Sequence, residues 1–309
     1  VKLFDDTAAA ALMKKYTGDK KYLRHAILML NMGGGGGFEL WQFIDRAPQY
    51  PKEEIQLGDL GIFGAKIKTP DVKAAHLYYK NIGGFSLSPV YKSPDKRNHF
   101  WVKDEYGNHF NITEGLAGFK AVPGHCGGVS GAVIGVSDMK KAIRFYSDVL
   151  GINQEVFNMC GPIEDMPANP LCSKNYHRVL LKKSTGVKGA FSRLLGDIEI
   201  ELVQATDTTH TSIYENRFWG DCGFIHLCFD VNDMDNLKIR SERVGFPFSV
   251  DSKESFCMEA ASGRFCYVED PSGTLIELVE THRVPVFTKA GLYLDLKKRK
   301  SNKPLPDWM

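Results

Sequence analysis

The feature that most constrains this 309-residue chain is a long internal repeat. Gly58-Asp59-Leu60-Gly61-Ile62-Phe63-Gly64 is matched by Gly220-Asp221-Cys222-Gly223-Phe224-Ile225-His226. Phe38-Glu39-Leu40-Trp41-Gln42 is matched by Ile200-Glu201-Leu202-Val203-Gln204. Residues 58 and 220 are 162 apart, and so are residues 39 and 201. Two matches at one offset indicate duplicated structural units.

Smaller units repeat inside each half. Thr69-Pro70-Asp71-Val72, Val136-Ser137-Asp138-Met139 and Val231-Asn232-Asp233-Met234 each end an apolar run and open an amphipathic stretch. The spacing predicts a strand, an Asp N-cap and a helix. Ala142, Ile143, Phe145 and Tyr146 form the apolar side of the second of these helices, and Gly151 fits its C-terminus. Val102 to Gly107 resembles Val268 to Gly273, and both read as hairpin turns between strands. The unit is therefore strand, helix, then three strands. Complete copies run roughly over 58–115, 128–206 and 219–282, with a partial copy at 1–44. Val1 to Phe4 matches Gln154 to Phe157, so a first strand and helix are expected before Val1.

Two stretches stand outside the repeat. Gly33 to Gly37 lacks the Lys-Ser/Thr of a P-loop and opens no helix, so it reads as a flexible hairpin. The tail from 285 to 309 carries Lys297, Lys298, Arg299, Lys300 and Lys303 and reads as an extended, solvated basic end. Charge is otherwise balanced, with 39 basic against 37 acidic residues. That gives no electrostatic case for nucleic acid. No apolar run approaches the roughly 20 residues needed to span a bilayer. The seven cysteines form no CxxC pair, and reduced thiols in a cytoplasmic protein are expected. Nucleophile-elbow, HExxH and dinucleotide motifs are missing.

Strand–Asp–helix units with Phe145-Tyr146, the turn Asp270-Pro271-Ser272-Gly273-Thr274 and the strand Ile276-Glu277-Leu278-Val279 resemble the vicinal oxygen chelate superfamily of glyoxalases, bleomycin-resistance proteins and extradiol dioxygenases. The resemblance covers about residues 1–282 and implies an α+β fold. Four βαβββ modules, the first incomplete, would pair into two strongly curved mixed sheets with helices outside. The expected division is an N-terminal pair at 1–117, poor in ligands, and a C-terminal pair at 125–284. Covalent duplication suggests that each half supplies its own cup, in a monomer or homodimer.

In this superfamily each module offers one metal ligand from its first strand and one from its last. The matching positions are His226 and Glu277 in the fourth module, Gly131 and Glu201 in the third, and Gly64 and Asn111 in the second. Only Glu39 is visible in the first. The resemblance therefore implies a divalent ion (Zn, Mn, Ni or Fe) held by His226, Glu277 and Glu201, with Glu201 or Glu277 moving a proton. His125 and His282 are possible substitutes at strand ends. Arg178 and Arg193 read either as a clamp for a substrate carboxylate or phosphate or as surface ion pairs. Tyr267 reads as a proton donor or a packed sheet aromatic. Cys228 shares the strand face of His226. Asp221, matched by Asp59 in the ligand-poor half, reads as structural. The implied function is a glyoxalase-like lyase or isomerase acting on a small molecule through neighbouring oxygens. An extradiol ring-cleaving dioxygenase and a metal-free binding protein are the alternatives.

Overall fold

The three Asp residues expected to start helices do so. Asp71, Asp138 and Asp233 each accept a hydrogen bond from the backbone N–H three residues on (Ala74, Lys141 and Asn236). Each stands between a first strand and a helix, which fixes the strand–helix half of the repeat. The computed structural model describes residues 1–115, 118–167, 175–186, 188–253, 256–258, 261–287 and 291–307. The expected end of the first half, at 117, lies outside them.

The first module contributes β1 (Lys2–Ala9), a 3-10 turn (Ala11–Tyr16), β2 (Leu23–Met29) and β3 (Phe38–Phe43). The second contains β4 (Gly61–Thr69), α1 (Val72–Ile82), β5 (Ser86–Leu87), β6 (Tyr91–Lys92), β7 (Asn98–Lys103) and β8 (His109–Glu114). The third contains β9 (Val129–Gly135), α2 (Met139–Asp148), β10 (Gln154–Gly161), β11 (Tyr176–Lys182), α3 (Ser192–Leu195) and β12 (Glu199–Ala205). The fourth contains β13 (Leu227–Asp230), α4 (Met234–Arg243), β14 (Phe248–Asp251), β15 (Phe256–Met258), β16 (Ala261–Glu269) and β17 (Leu275–Phe287), followed by β18 (Leu292–Asp295). In every complete module the first strand lies parallel to the last: β4 with β8, β9 with β12, β13 with β17.

The sheets join modules differently from the expected halves. β4 pairs antiparallel with β9, so the second and third modules form one sheet in the order β10-β11-β12-β9-β4-β8-β7-β5. The fourth module forms the sheet β13-β17-β16-β14, and the first forms a three-stranded sheet, β1-β2-β3. The division at 117–125 thus falls inside a sheet. A glycine at the end of β9 permits the close approach: a Cβ at Gly135 would lie 1.8 Å from the Asp59 carbonyl oxygen, just before β4.

Alternation sends one face of each strand to the helices and the other to a cup. Ala132, Ile134, Ile200 and Leu202 share one core with α2, α4, Ile276 and Leu278. Tyr146 of α2 donates to Asp270, 3.1 Å away, so two of the motif elements touch across modules. The Asp270 and Asp104 turns are built alike. Asp270 Oδ1 accepts from the N–H groups of Ser272 and Thr274, and Asp104 Oδ1 from those of Tyr106 and Asn108. The repeated Gly-Asp has the same kind of cause. Gly58 and Gly220 have φ of +95° and +91°, a backbone that favours glycine. Asp221 is buried and accepts both Nη1 and Nη2 of Arg46, tying the chain after β3 to the chain before β13.

The five-glycine run is not the loose hairpin its composition suggests. Gly36 bridges Val129, Gly35 N–H donates to the Leu194 carbonyl, and a Cβ at Gly35 would meet Gly128 at 2.7 Å. It is a docking seam between the first module and β9. The tail also folds back: β18 pairs with β17, and Leu305 N–H donates to the Ala190 carbonyl.

Candidate metal centre

Three side chains from the two ends of the chain converge. Glu39 projects from β3, His226 immediately precedes β13, and Glu277 stands on β17 opposite Cys228. One donor atom from each of Glu39, His226 and Glu277 lies within 4.8 Å of the other two. His226 Nε2 is 3.2 Å from Glu277 Oε2, and the two side chains are only 7% and 13% exposed. Trp219 lies nearly parallel to the imidazole, with rings 16° apart, and Tyr267 packs against it edge-on.

The electrostatics are those of two carboxylates sharing one cation. Burial pushes the Glu39 carboxyl above its ordinary range; His226 opposes that and Glu277 reinforces it. Burial acts against protonation of His226, yet Glu277 and Glu39 together raise its pKa. Burial also acts against the Glu277 charge, but His226 and hydrogen bonds from Tyr267 and Cys228 hold its pKa below the usual value. These residues fit a divalent ion. Nitrogen and carboxylate donors suit first-row metals at ligand distances of about 2.0–2.2 Å. His226 Nδ1 is also buried with no hydrogen-bond partner in the protein.

Glu201, expected as the third ligand, is elsewhere. It lies in the cup of the sheet formed by the second and third modules, where Lys66 Nζ is 2.6 Å from its Oε2 and Arg178 Nε bonds its Oε1. Its place at the centre is taken by Glu39, the residue at the same repeat position. Arg178 is therefore no free clamp: its Nη1 also bonds Asp165 at 2.6 Å. Arg193 pairs with Asp307, with both side chains about half exposed. Tyr267 is at the centre, 3% exposed, with its hydroxyl hydrogen-bonded to Glu277. His125 stacks on Tyr78, and His282 pairs with Glu280, so neither joins the centre.

Sequence reasoning missed the polar cluster that fills the other cup. Lys66 Nζ lies between Glu199 (3.0 Å) and Glu201, and Arg97 also binds Glu199. His99 joins Asp165 to Asn111, with Nε2 3.2 Å from Asp165 and Nδ1 accepting from Asn111. Register makes Lys66 the parallel partner of Asn111, as Cys228 is of Glu277. The second cup thus fills its ligand region with protein cations. The signal in the sequence was two lysines, Lys66 and Lys68, on the largely apolar strand Gly61 to Thr69.

Paired βαβββ modules define a fold of the vicinal oxygen chelate kind, and one cup holds an imidazole–carboxylate cluster. The family model for the glyoxalase/bleomycin resistance protein/dioxygenase superfamily matches residues 132–287, and the chain belongs to that superfamily. Glyoxalase I from Zea mays is similar in fold, with TM-score 0.50 at 14% identity, covering 91% of this chain and 92% of that one. A putative dioxygenase from Bacillus subtilis subsp. subtilis str. 168 is similar at TM-score 0.51 and 14% identity, covering 84% of this chain and 72% of that one. No curated protein sequence matches the chain. Among the described residues no helix is long and apolar enough to cross a membrane. Cys126, Cys160, Cys222, Cys228 and Cys266 are free thiols, and Cys172 lies outside the described residues.

Proposed function

We propose that this chain is a divalent-metal-dependent lyase or isomerase of the glyoxalase kind, acting on a small substrate that presents two neighbouring oxygens. The observation that carries this reading is the convergence of Glu39, His226 and Glu277 within 4.8 Å. These three residues would hold the ion. When bound, a divalent ion polarises a carbonyl and stabilises negative charge on the oxygen beside it.

The protein's own part is proton handling and exclusion of water. Glu39 and Glu277 are the carboxylates that would stand beside the substrate, and one of them would take the proton from a carbon next to the carbonyl. Trp219 and Tyr267, both buried, shield His226 and keep the pair of carboxylates in a dry pocket. The dioxygenase reading is less well supported, because that chemistry favours two His and one carboxylate. Here the ratio is reversed.

The test is metal content of the purified chain beside Glu39→Ala, His226→Ala and Glu277→Ala. About one equivalent in the wild type, lost in all three variants, supports the centre. Metal-dependent exchange of the α-proton of a hydroxycarbonyl into deuterated water, lost in Glu39→Gln, supports the reaction class. A wild-type chain that takes up no ion leaves the metal-free binding protein as the remaining reading.

A further inference from the structure

Each carboxylate of the centre has an aromatic donor placed against it by strand register. Tyr267 on β16 is the cross-strand partner of Glu277 on β17, which sets its hydroxyl beside that carboxylate. The Tyr267 ring is clamped edge-on between Trp219 and His226, with centroids 6.4 and 5.5 Å away. It therefore has little freedom to swing toward a substrate.

Trp41 stands two residues beyond Glu39 on β3 and so shares its face. Its indole N–H lies beside the Glu39 carboxylate and lowers the pKa of that group, yet it is buried without a closed hydrogen bond. The ring is held by Trp219 at 4.4 Å and by the Arg24 guanidinium at 5.1 Å. A buried indole N–H without a partner is costly. A small turn of the Glu39 carboxylate toward a cation would complete the bond.

We propose that Tyr267 and Trp41 are positioning residues for the metal, each placed to donate to one oxygen of a ligand carboxylate when an ion is bound, so that Glu277 and Glu39 would bind it through the other. Two carboxylates binding through one oxygen each, with one imidazole, would leave room on the ion for a substrate that chelates through adjacent oxygens. This inference rests on the metal reading given above and assigns the residues that set its coordination number. It also gives Tyr267 a part other than proton donor, the control of a ligand.

The experiment uses the full chain and two variants that keep an aromatic ring, Tyr267→Phe and Trp41→Phe. Affinity for Mn(II) and Co(II) is measured by competition with a chelating dye, together with the visible spectrum of the Co(II) form. Losing an outer partner of a ligand weakens binding by about 10- to 100-fold. The expected result is that loss in each variant, with a Co(II) band changed in intensity as a freed carboxylate binds through both oxygens. The thermal midpoint of the metal-free variants serves as the control for packing. Wild-type-like affinity and spectrum in both variants overturn the inference, whatever the midpoint does. If Tyr267→Phe fails to fold, Trp41→Phe carries the same test alone. Absence of binding in the wild type overturns the metal reading itself, which is a separate outcome.

Discussion

Two glutamates at the same repeat position have opposite surroundings. Glu39 and Glu201 lie 162 residues apart in matched segments. Glu39 faces an imidazole and another carboxylate, whereas Glu201 is neutralised by Lys66 and Arg178. We therefore expect Glu39→Gln to abolish tight metal binding and Glu201→Gln to leave the stoichiometry unchanged, as read by calorimetric titration with Zn(II). His226 and Glu277 were legible because both fall in the motif-rich fourth module. The carboxylate that joins them was not, because a sequence shows which positions are equivalent but not which modules share a cup. Neighbours in sequence are usually neighbours in space, and here that preference led to Glu201. What overrode it is the β4–β9 pairing, where Gly135 leaves room for the Asp59 carbonyl just before β4.

At the scale of elements, the cup of β4, β8, β11 and β12 is held by charge where the other cup offers a metal site. Lys66 and Glu201 are 4% and 3% exposed, so a substitution that leaves the carboxylates unpaired is expensive. Lys66→Met is expected to cost about 3–5 kcal/mol, the range for breaking a buried pair, measured as a shift in urea midpoint. The same cluster sets acid stability. Burial pushes the Glu199 carboxyl up, but Lys66, Arg97 and Lys182 more than reverse this and bring it to about 2. Asp165 likewise reaches about 2, with burial outweighed by His99 and Arg178. Unfolded carboxylates titrate near 4. Their contribution is therefore fully present above about 4 and is lost as pH falls toward 2. Circular dichroism against pH should show the wild type losing structure mainly in that window. Lys66→Met should lose it at higher pH, since removing Lys66 lets the Glu199 pKa rise. The strand–helix alternation, the N-caps and both Asp turns were readable because each is fixed by residues close in sequence. The glycine run misled because flexibility and close packing use the same residue, and only the contact with Gly128 separates them.

At the scale of the molecule, the metal centre depends on how the first module sits against the fourth. The Arg46–Asp221 pair is a buried charged link between them, with side chains 13% and 0% exposed, and the Phe43 ring lies against Gly220. Arg46→Ala touches no ligand, yet it should weaken metal binding by at least tenfold by loosening β3, as measured with the same chelating-dye competition. Gly35→Ala strikes the other seam. It places a Cβ 2.7 Å from Gly128 at a φ of +112°. A loss of about 1–3 kcal/mol is expected from overpacking alone, read as a lower thermal midpoint.

The centre draws Glu39 from near the start of the chain and Glu277 from near its end, with the whole sheet of the second and third modules between them in sequence. Closing so long a loop is slow and comes late in folding. A chain emerging from synthesis has no complete ligand set until its last strands exist and have met its first. Metal uptake during refolding is therefore expected to lag behind the recovery of secondary structure. Capture of the ion would mark the moment at which the two ends have found each other.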